Sequence, residues 1–219
     1  MLKNLRFTKE GGRLHIEDYP DAVALKRIDD PAARQLQAMT LHHADLSFCQ
    51  QALAEVARLD RSQQTLLAEG LWIAAIARFF KCFGKNKART QLSAKKILRD
   101  FVGAGAVFAY FEALRNKHII HDENPYSQAF TGVALNAREA EYKVADIIAM
   151  AFNAFTVDDD HLVQFRQLVD VTLLWVAAER EELHNLLGKA YEQTLYDELL
   201  ALPDITFTVP GSKQVDKHR

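Results

Sequence analysis

A long helical pattern near the carboxyl end of the chain constrains its fold more than any other feature of the sequence. Apolar residues recur there at spacings of three and four, the period of an amphipathic α-helix. Three aspartates at 158–160 precede the pattern, no glycine interrupts it before Gly188, and no proline before Pro203. It predicts a helix of about forty residues, roughly 60 Å long and able to reach beyond a compact bundle to a partner. The apolar residues are Leu162, Phe165, Val169, Leu173, Val176, Leu183, Leu187 and Ala190.

Three earlier segments repeat this period. The first begins at Pro31, with Asp30 as its capping residue, and the second stops at Gly84. The third carries apolar residues in strict alternation of four and three until Pro125. The helices are expected at about 31–59, 62–83 and 93–124. Together with the last helix they predict one mainly α, bundle-like domain over residues 31–202.

The remaining segments lack a helical period. Residues 1–30 are polar and irregular and predict a flap with at most a weak hairpin. Residues 129–157 are rich in β-branched and aromatic side chains around a polar turn, which predicts a small inserted β-hairpin, although 144–155 also fits a helix. Residues 203–219 predict an extended tail that ends in disorder.

Composition and charge exclude several classes of protein. The formal net charge of −2 excludes a globally basic nucleic-acid binder and leaves room for a local basic patch. No apolar run approaches the roughly 18 residues that cross a bilayer, and the first residues lack the apolar stretch of a secretory signal. Cys49 and Cys82 form no ligand cluster, which fits a reducing compartment. We therefore expect a cytoplasmic protein without membrane association, and no motif predicts a metal or another cofactor.

The predicted third helix ends in basic side chains. Continuing its apolar alternation beyond Phe108 and Phe111 leads to Arg115 and His118, and at 100° per residue His121 lies on the same surface. A buried guanidinium needs a carboxylate, water or an anionic ligand as its partner. A structural salt bridge is one interpretation. The histidines favour another, since cleavage of a phosphodiester by its neighbouring 2′-hydroxyl needs an imidazole to move the proton and a guanidinium to stabilise the charge.

Residues 115–121, Arg-Asn-Lys-His-Ile-Ile-His, resemble the signature of the HEPN superfamily, in which an arginine, usually a polar residue, and then a histidine stand near the end of a bundle helix. The helix segment 75–83 is also similar to a segment of bacterial proteins of this type. The resemblance implies a HEPN-like helical bundle in which Arg115 and His121 are catalytic, Asn116 orients them, and His118 is a further candidate on the same face.

The resemblance also implies a function. Many HEPN proteins are metal-independent endoribonucleases that dimerise so that two motifs face each other, often in defence or toxin systems with a neutralising or regulatory protein. Here it implies attack by the 2′-hydroxyl of RNA within a homodimer. Two alternatives stay open, namely a non-catalytic HEPN-like module that binds RNA, a nucleotide or a protein, and a helical scaffold in which Arg115 is merely paired. The toxin subgroup has a tyrosine close after the histidine, whereas Tyr126 follows His121 by five positions.

A basic segment precedes the motif. Between Arg78 and Arg99 the chain has eight basic residues and no acidic one, which predicts a surface that holds phosphates. A solvated loop is the alternative. Interleaved Phe79, Phe80 and Phe83 stand at helical spacing and favour a core role over base stacking. The candidate RNA-binding residues are Lys81, Lys85, Lys87, Arg89, Lys95 and Lys96.

Overall fold

The computed structural model describes residues 7–10, 13–16, 19–87, 89–121 and 123–205. These residues form a mainly helical structure with two small antiparallel sheets, which confirms the mainly α prediction. The helices are α1 (Pro31–Val56), α2 (Thr65–Lys81), α3 (Ala94–Ile97), α4 (Ala104–Leu114), α5 (Asp159–Glu192) and α6 (Tyr196–Ala201), and a π-helical segment, Arg115–Ile120, follows α4 directly. The strands are β1 (Phe7–Glu10), β2 (Arg13–Ile16), β3 (Ser127–Leu135) and β4 (Val144–Asn153), paired β1 with β2 and β3 with β4.

The described residues belong to two compact units. The terminal unit contains the residues up to 47, residues 82–92 and those from 172 onward, and the central unit contains 48–81 and 93–171. All four candidate catalytic residues belong to the central unit.

An aromatic core holds the central unit together. Trp72 of α2, Phe111 of α4 and Phe165 of α5 are fully buried, and the Trp72 ring meets the other two edge to face at 5.7 and 5.4 Å between centroids. Phe79 is also fully buried and packs on Phe165 at 5.2 Å. The indole N–H of Trp72 donates to the Thr156 hydroxyl at 3.0 Å, so the buried donor is satisfied. This packing fixes the end of α4, from which the candidate site continues.

In the terminal unit, the Asp30 side chain is hydrogen-bonded both to the start of α1 and to the end of α5. One carboxylate oxygen accepts the backbone N–H of Ala33 at 2.8 Å, which confirms the predicted cap of α1, and the other accepts the Tyr191 hydroxyl at 2.7 Å. The backbone N–H of Arg27 donates to the carbonyl of Pro203 at 2.7 Å. The short β1–β2 hairpin lies where a weak hairpin was predicted, and the predicted tail beyond residue 205 lies outside the described residues.

The predicted third helix is interrupted. α3 has only four residues, and α4 begins after Gly103 adopts a left-handed φ of 81°. Glycine reaches this conformation at little cost, whereas an L-residue is strained there. The expectation of one continuous helix from about 93 to 124 is therefore wrong. The apolar period continues across the break and does not reveal it.

The inserted β-hairpin is confirmed, and Val144–Asn153 is a strand rather than a helix. The backbone N–H of Asn136 donates to the carbonyl of Lys143 at 3.0 Å and closes the turn. After the hairpin, the Asp158 carboxylate accepts the backbone N–H of His161 at 2.8 Å, so the predicted acidic start of the last helix is also present. That helix ends at Glu192, and the short α6 follows.

Candidate functional site

The candidate site lies on the π-helical segment. Here the backbone changes from the i→i+4 hydrogen bonds of α4 to i→i+5 bonds, a rare geometry that is frequent at functional sites. Arg115 begins the segment and His118 lies within it, but His121 follows it with an extended backbone, φ −133° and ψ 148°, and is exposed. The expectation that all three share one face of a regular α-helix is therefore wrong, because the helix widens and then ends before His121.

Arg115 has an incomplete set of hydrogen bonds. Its Nη1 donates to the side-chain oxygen of Asn116 at 2.7 Å. Its Nε is buried and, within the described part of the chain, has no hydrogen-bond partner. Nor does any carboxylate among the described residues pair with Arg115. A buried guanidinium nitrogen in this condition needs an oxygen acceptor, which water or a ligand can supply.

His118 lies three residues further along the same segment. Its Nδ1 is buried and has no partner in the ranges the structure covers, while its ring meets Tyr126 edge to face at 5.4 Å. Most buried polar atoms in proteins are hydrogen-bonded, so two orphaned nitrogens on one six-residue segment need an explanation.

A chain of titratable side chains leads away from His118. We call it the histidine–tyrosine cluster, and it consists of His118, Tyr126, Tyr110, His161 and Asp158. The Tyr110 hydroxyl is hydrogen-bonded to Tyr126, and burial, followed by this bond, raises the pKa of Tyr110 to about 12. The Tyr110 ring lies flat on His161, with 4.5 Å between centroids and 6° between planes. The Asp158 carboxylate lies 2.5 Å from Nδ1 of His161, and mainly the backbone N–H of His161 lowers the pKa of Asp158.

Sequence reasoning missed Tyr110 and His161. The Asp-x-x-His spacing at the start of α5 is a usable signal, because residues three apart are neighbours on a helix, but Asp158 was assigned only to the helix start. Tyr110 falls between the apolar positions of α4 and showed no signal.

The predicted RNA-binding residues divide into two groups. Five lysines, at 81, 85, 87, 95 and 96, are exposed, as phosphate contacts require. Lys85 and Lys87 belong to the terminal unit and the other three to the central unit. Arg89 is different, since its side chain is only 4% exposed and its guanidinium lies 2.7 Å from the carboxylate of Asp45, whose side chain is 9% exposed. The Arg89 guanidinium therefore pairs within the protein and is not presented to solvent as phosphate contacts require.

Other bonds anchor the loop that carries Arg89. His42 on α1 lies with Nε2 2.8 Å from the Thr90 carbonyl, and burial lowers the pKa of this histidine. The backbone N–H of Leu92 donates to the carbonyl of Cys82 at 3.0 Å. The predicted core roles of the interleaved phenylalanines are confirmed, because Phe79, Phe80 and Phe83 are buried.

A search of the described ranges finds no group of three or more histidine, cysteine or acidic side chains placed to hold a metal ion. Over the same part of the chain, no helix combines the length and apolarity needed to cross a membrane. Comparisons with protein-family models, curated proteins and solved structures find no match to this chain.

Proposed function

We propose that this chain is a HEPN-like endoribonuclease that cleaves RNA without a metal, through attack by the 2′-hydroxyl on the neighbouring phosphate. One observation carries the proposal. Arg115 Nε and His118 Nδ1 are buried on one π-helical segment and have no partner among the described residues. A phosphodiester offers the charge and acceptor oxygens that the guanidinium needs, and an imidazole beside it can move a proton.

The roles follow from the chemistry of the reaction. The 2′-oxygen bonds to phosphorus while the bond from phosphorus to the 5′-oxygen breaks, leaving a cyclic phosphate and a 5′-hydroxyl. Arg115 stabilises the charge that develops on the phosphoryl oxygens, and Asn116 holds the guanidinium through their 2.7 Å bond. His121, exposed at the end of the segment, accepts the proton of the attacking hydroxyl. His118 donates the proton that the leaving 5′-oxygen needs to become a hydroxyl.

The exposed lysines complete the proposal, because phosphate contacts supply most of the affinity of sequence-independent RNA binding. The likeness of residues 115–121 to the HEPN signature extends it to a cytoplasmic defence or toxin system, a homodimer, and a neutralising or regulatory protein as partner.

The test is cleavage of total RNA by the purified chain in EDTA. We expect Arg115→Ala and His121→Ala each to slow cleavage by about 100-fold or more, the scale of a lost charge-stabilising or acid–base group. His184→Ala is the matched control, since His184 is an exposed histidine of α5 in the terminal unit. Wild-type activity in either site variant, or cleavage that EDTA abolishes, would refute the assigned chemistry.

A non-catalytic RNA-binding module is the second candidate. It is favoured by the position of His121, which lies beyond the helix with an extended backbone instead of on the face of Arg115. In that case wild-type protein binds labelled RNA but leaves it intact, and Arg115→Ala weakens binding while His121→Ala does not. Detectable wild-type cleavage that depends on His121 excludes this candidate.

A further inference from the structure

A half-buried arginine of the terminal unit lacks a counter-charge. Arg180 of α5 has a buried Nη1 without a hydrogen-bond partner in the described part of the chain. No carboxylate in the same ranges pairs with it, although glutamates stand beside it in sequence at 179, 181 and 182. Taking a cation out of water without a partner is costly, so this guanidinium needs an acceptor.

The packing of α5 on α1 brings a histidine beside Arg180. The hydrogen bond between Asp30 and Tyr191 joins the start of α1 to the end of α5, so the two helices run in opposite directions. Arg180 precedes Tyr191 by eleven residues, which corresponds on α1 to residue 41, two residues before His43. His43 is half-buried, and burial and then the positive charge of Arg180 lower its pKa. The two side chains therefore lie within electrostatic reach of each other.

His43 and Ser47, one turn apart on α1, keep a spare donor whichever way their hydrogen bond runs. Ser47 Oγ lies 3.3 Å from His43 Nδ1. If the hydroxyl donates, the neutral ring carries its proton on Nε2, and if Nδ1 donates, the hydroxyl proton is not used. In both cases one N–H or O–H group of the pair remains for a further acceptor.

We propose that Arg180, His43 and Ser47 form a binding site for a phosphate group. Water could accept the hydrogen bond of Arg180 but would leave its charge uncompensated, whereas an anion supplies both. Phosphate has several acceptor oxygens, so the guanidinium and the donor of the His43–Ser47 pair can bind different ones. These residues belong to the terminal unit and take no part in the ribonuclease proposed for the central unit.

NMR of the His43 imidazole, recorded while inorganic phosphate is added to the wild-type chain, tests the site. The signal is identified as the one that His43→Gln removes. Phosphate up to about 10 mM is enough to fill a site with a millimolar dissociation constant. We expect a shift that saturates, and none when chloride is added to the same ionic strength. No shift, or a shift that chloride reproduces, would overturn the inference.

Variants show whether Arg180 holds the anion. Arg180→Gln should weaken phosphate binding by about 10-fold or more, the scale of a lost hydrogen bond to a charged group. Arg166→Gln is the matched control, because Arg166 is an exposed arginine of the same helix, and it should bind phosphate as wild type does. Wild-type affinity in Arg180→Gln would overturn the inference.

Thermal unfolding separates a binding role from a structural one. Phosphate should raise the melting temperature of wild type and leave that of Arg180→Gln unchanged, because a ligand stabilises only the folded chain that binds it. Without phosphate, Arg180→Gln should be at least as stable as wild type, since it removes an uncompensated charge. A clear loss of stability without phosphate would assign Arg180 to the fold and refute the site.

Adenosine 5′-monophosphate distinguishes the two sources of a phosphate group. A shift of the His43 signal at lower concentration than with inorganic phosphate identifies a nucleotide as the ligand, and the reverse order identifies free phosphate. The candidate ribonuclease site would also bind phosphate, so the titration is repeated with Arg115→Ala. The His43 response should persist there whether or not the chain cleaves RNA, and its loss would contradict a separate site.

Discussion

Replacing Asp45 by Asn should destabilise the chain far more than an ordinary surface substitution. The Asp45 carboxylate lies 2.7 Å from the Arg89 guanidinium, and the two side chains are 9% and 4% exposed. The amide of asparagine keeps the shape of the side chain but removes the negative charge that lies 2.7 Å from the guanidinium. The expected cost is that of breaking a buried ion pair.

Breaking a buried pair by removing one partner costs about 3–5 kcal/mol. For a chain of this size, that corresponds to a melting temperature lower by about 6–20 °C. The comparison is Glu55→Gln, which removes the partner of Arg58 in an exposed pair with an N–O distance of 3.7 Å. That change should cost at most about 1 kcal/mol, because exposed pairs contribute little.

Urea unfolding followed by circular dichroism measures both losses under the same conditions. Replacing both members of the buried pair by leucine should recover most of the stability, since an apolar pair leaves no charge behind. The reasoning fails if Asp45→Asn costs no more than Glu55→Gln. It also fails if the double leucine variant is less stable than Asp45→Asn. In that case the ion pair would stabilise the folded chain by more than the mutual neutralisation of its two buried charges.

Two further predictions concern charge. Replacing Lys85 and Lys87 by Gln should make RNA affinity less dependent on salt. The log–log slope should fall by about 0.7 for each phosphate that the variant no longer binds, as measured by titration at several salt concentrations. An unchanged slope would mean that these lysines are solvated and do not contact RNA. The pKa of Tyr110 is raised from 10.0 to about 12, so its contribution to stability is complete below pH 10 and is lost as the pH rises through 12. Tyr110→Phe should remove that part of the alkaline loss in thermal unfolding, and an unaltered alkaline profile would contradict the assignment.

Structural features that depend on residues close together in the chain could be predicted from the sequence. The apolar period located the long helices, and the Asp30 cap needs only the N–H group three residues later. The inserted hairpin followed from its β-branched and aromatic content. The break at Gly103 was missed because the apolar residues keep their spacing while the backbone changes hand at a single residue.

The candidate site was predictable only in part, for a related reason. Stepping along the helix located Arg115 and His118, but a six-residue change to i→i+5 hydrogen bonds leaves no periodic trace in the sequence. The contact between Tyr110 and His161 joins residues 51 positions apart, and the pair of Asp45 with Arg89 joins residues 44 apart. Only the tertiary structure brings such residues together. A prediction from charge alone therefore placed Arg89 on the surface, whereas its side chain is buried beside Asp45.

The geometry of the candidate site depends on the number of residues in the π-helical segment. An i→i+5 hydrogen bond spans one more residue than the i→i+4 bond of an α-helix. Removing one residue between Arg115 and Ile120 would allow ordinary i→i+4 bonds there, and His118 would then stand at a different angle to Arg115. His118 would lose its place beside Tyr126 although every functional side chain was still encoded. In alignments of related chains, a one-residue gap at this position would separate those that keep the geometry from those that keep only the residues.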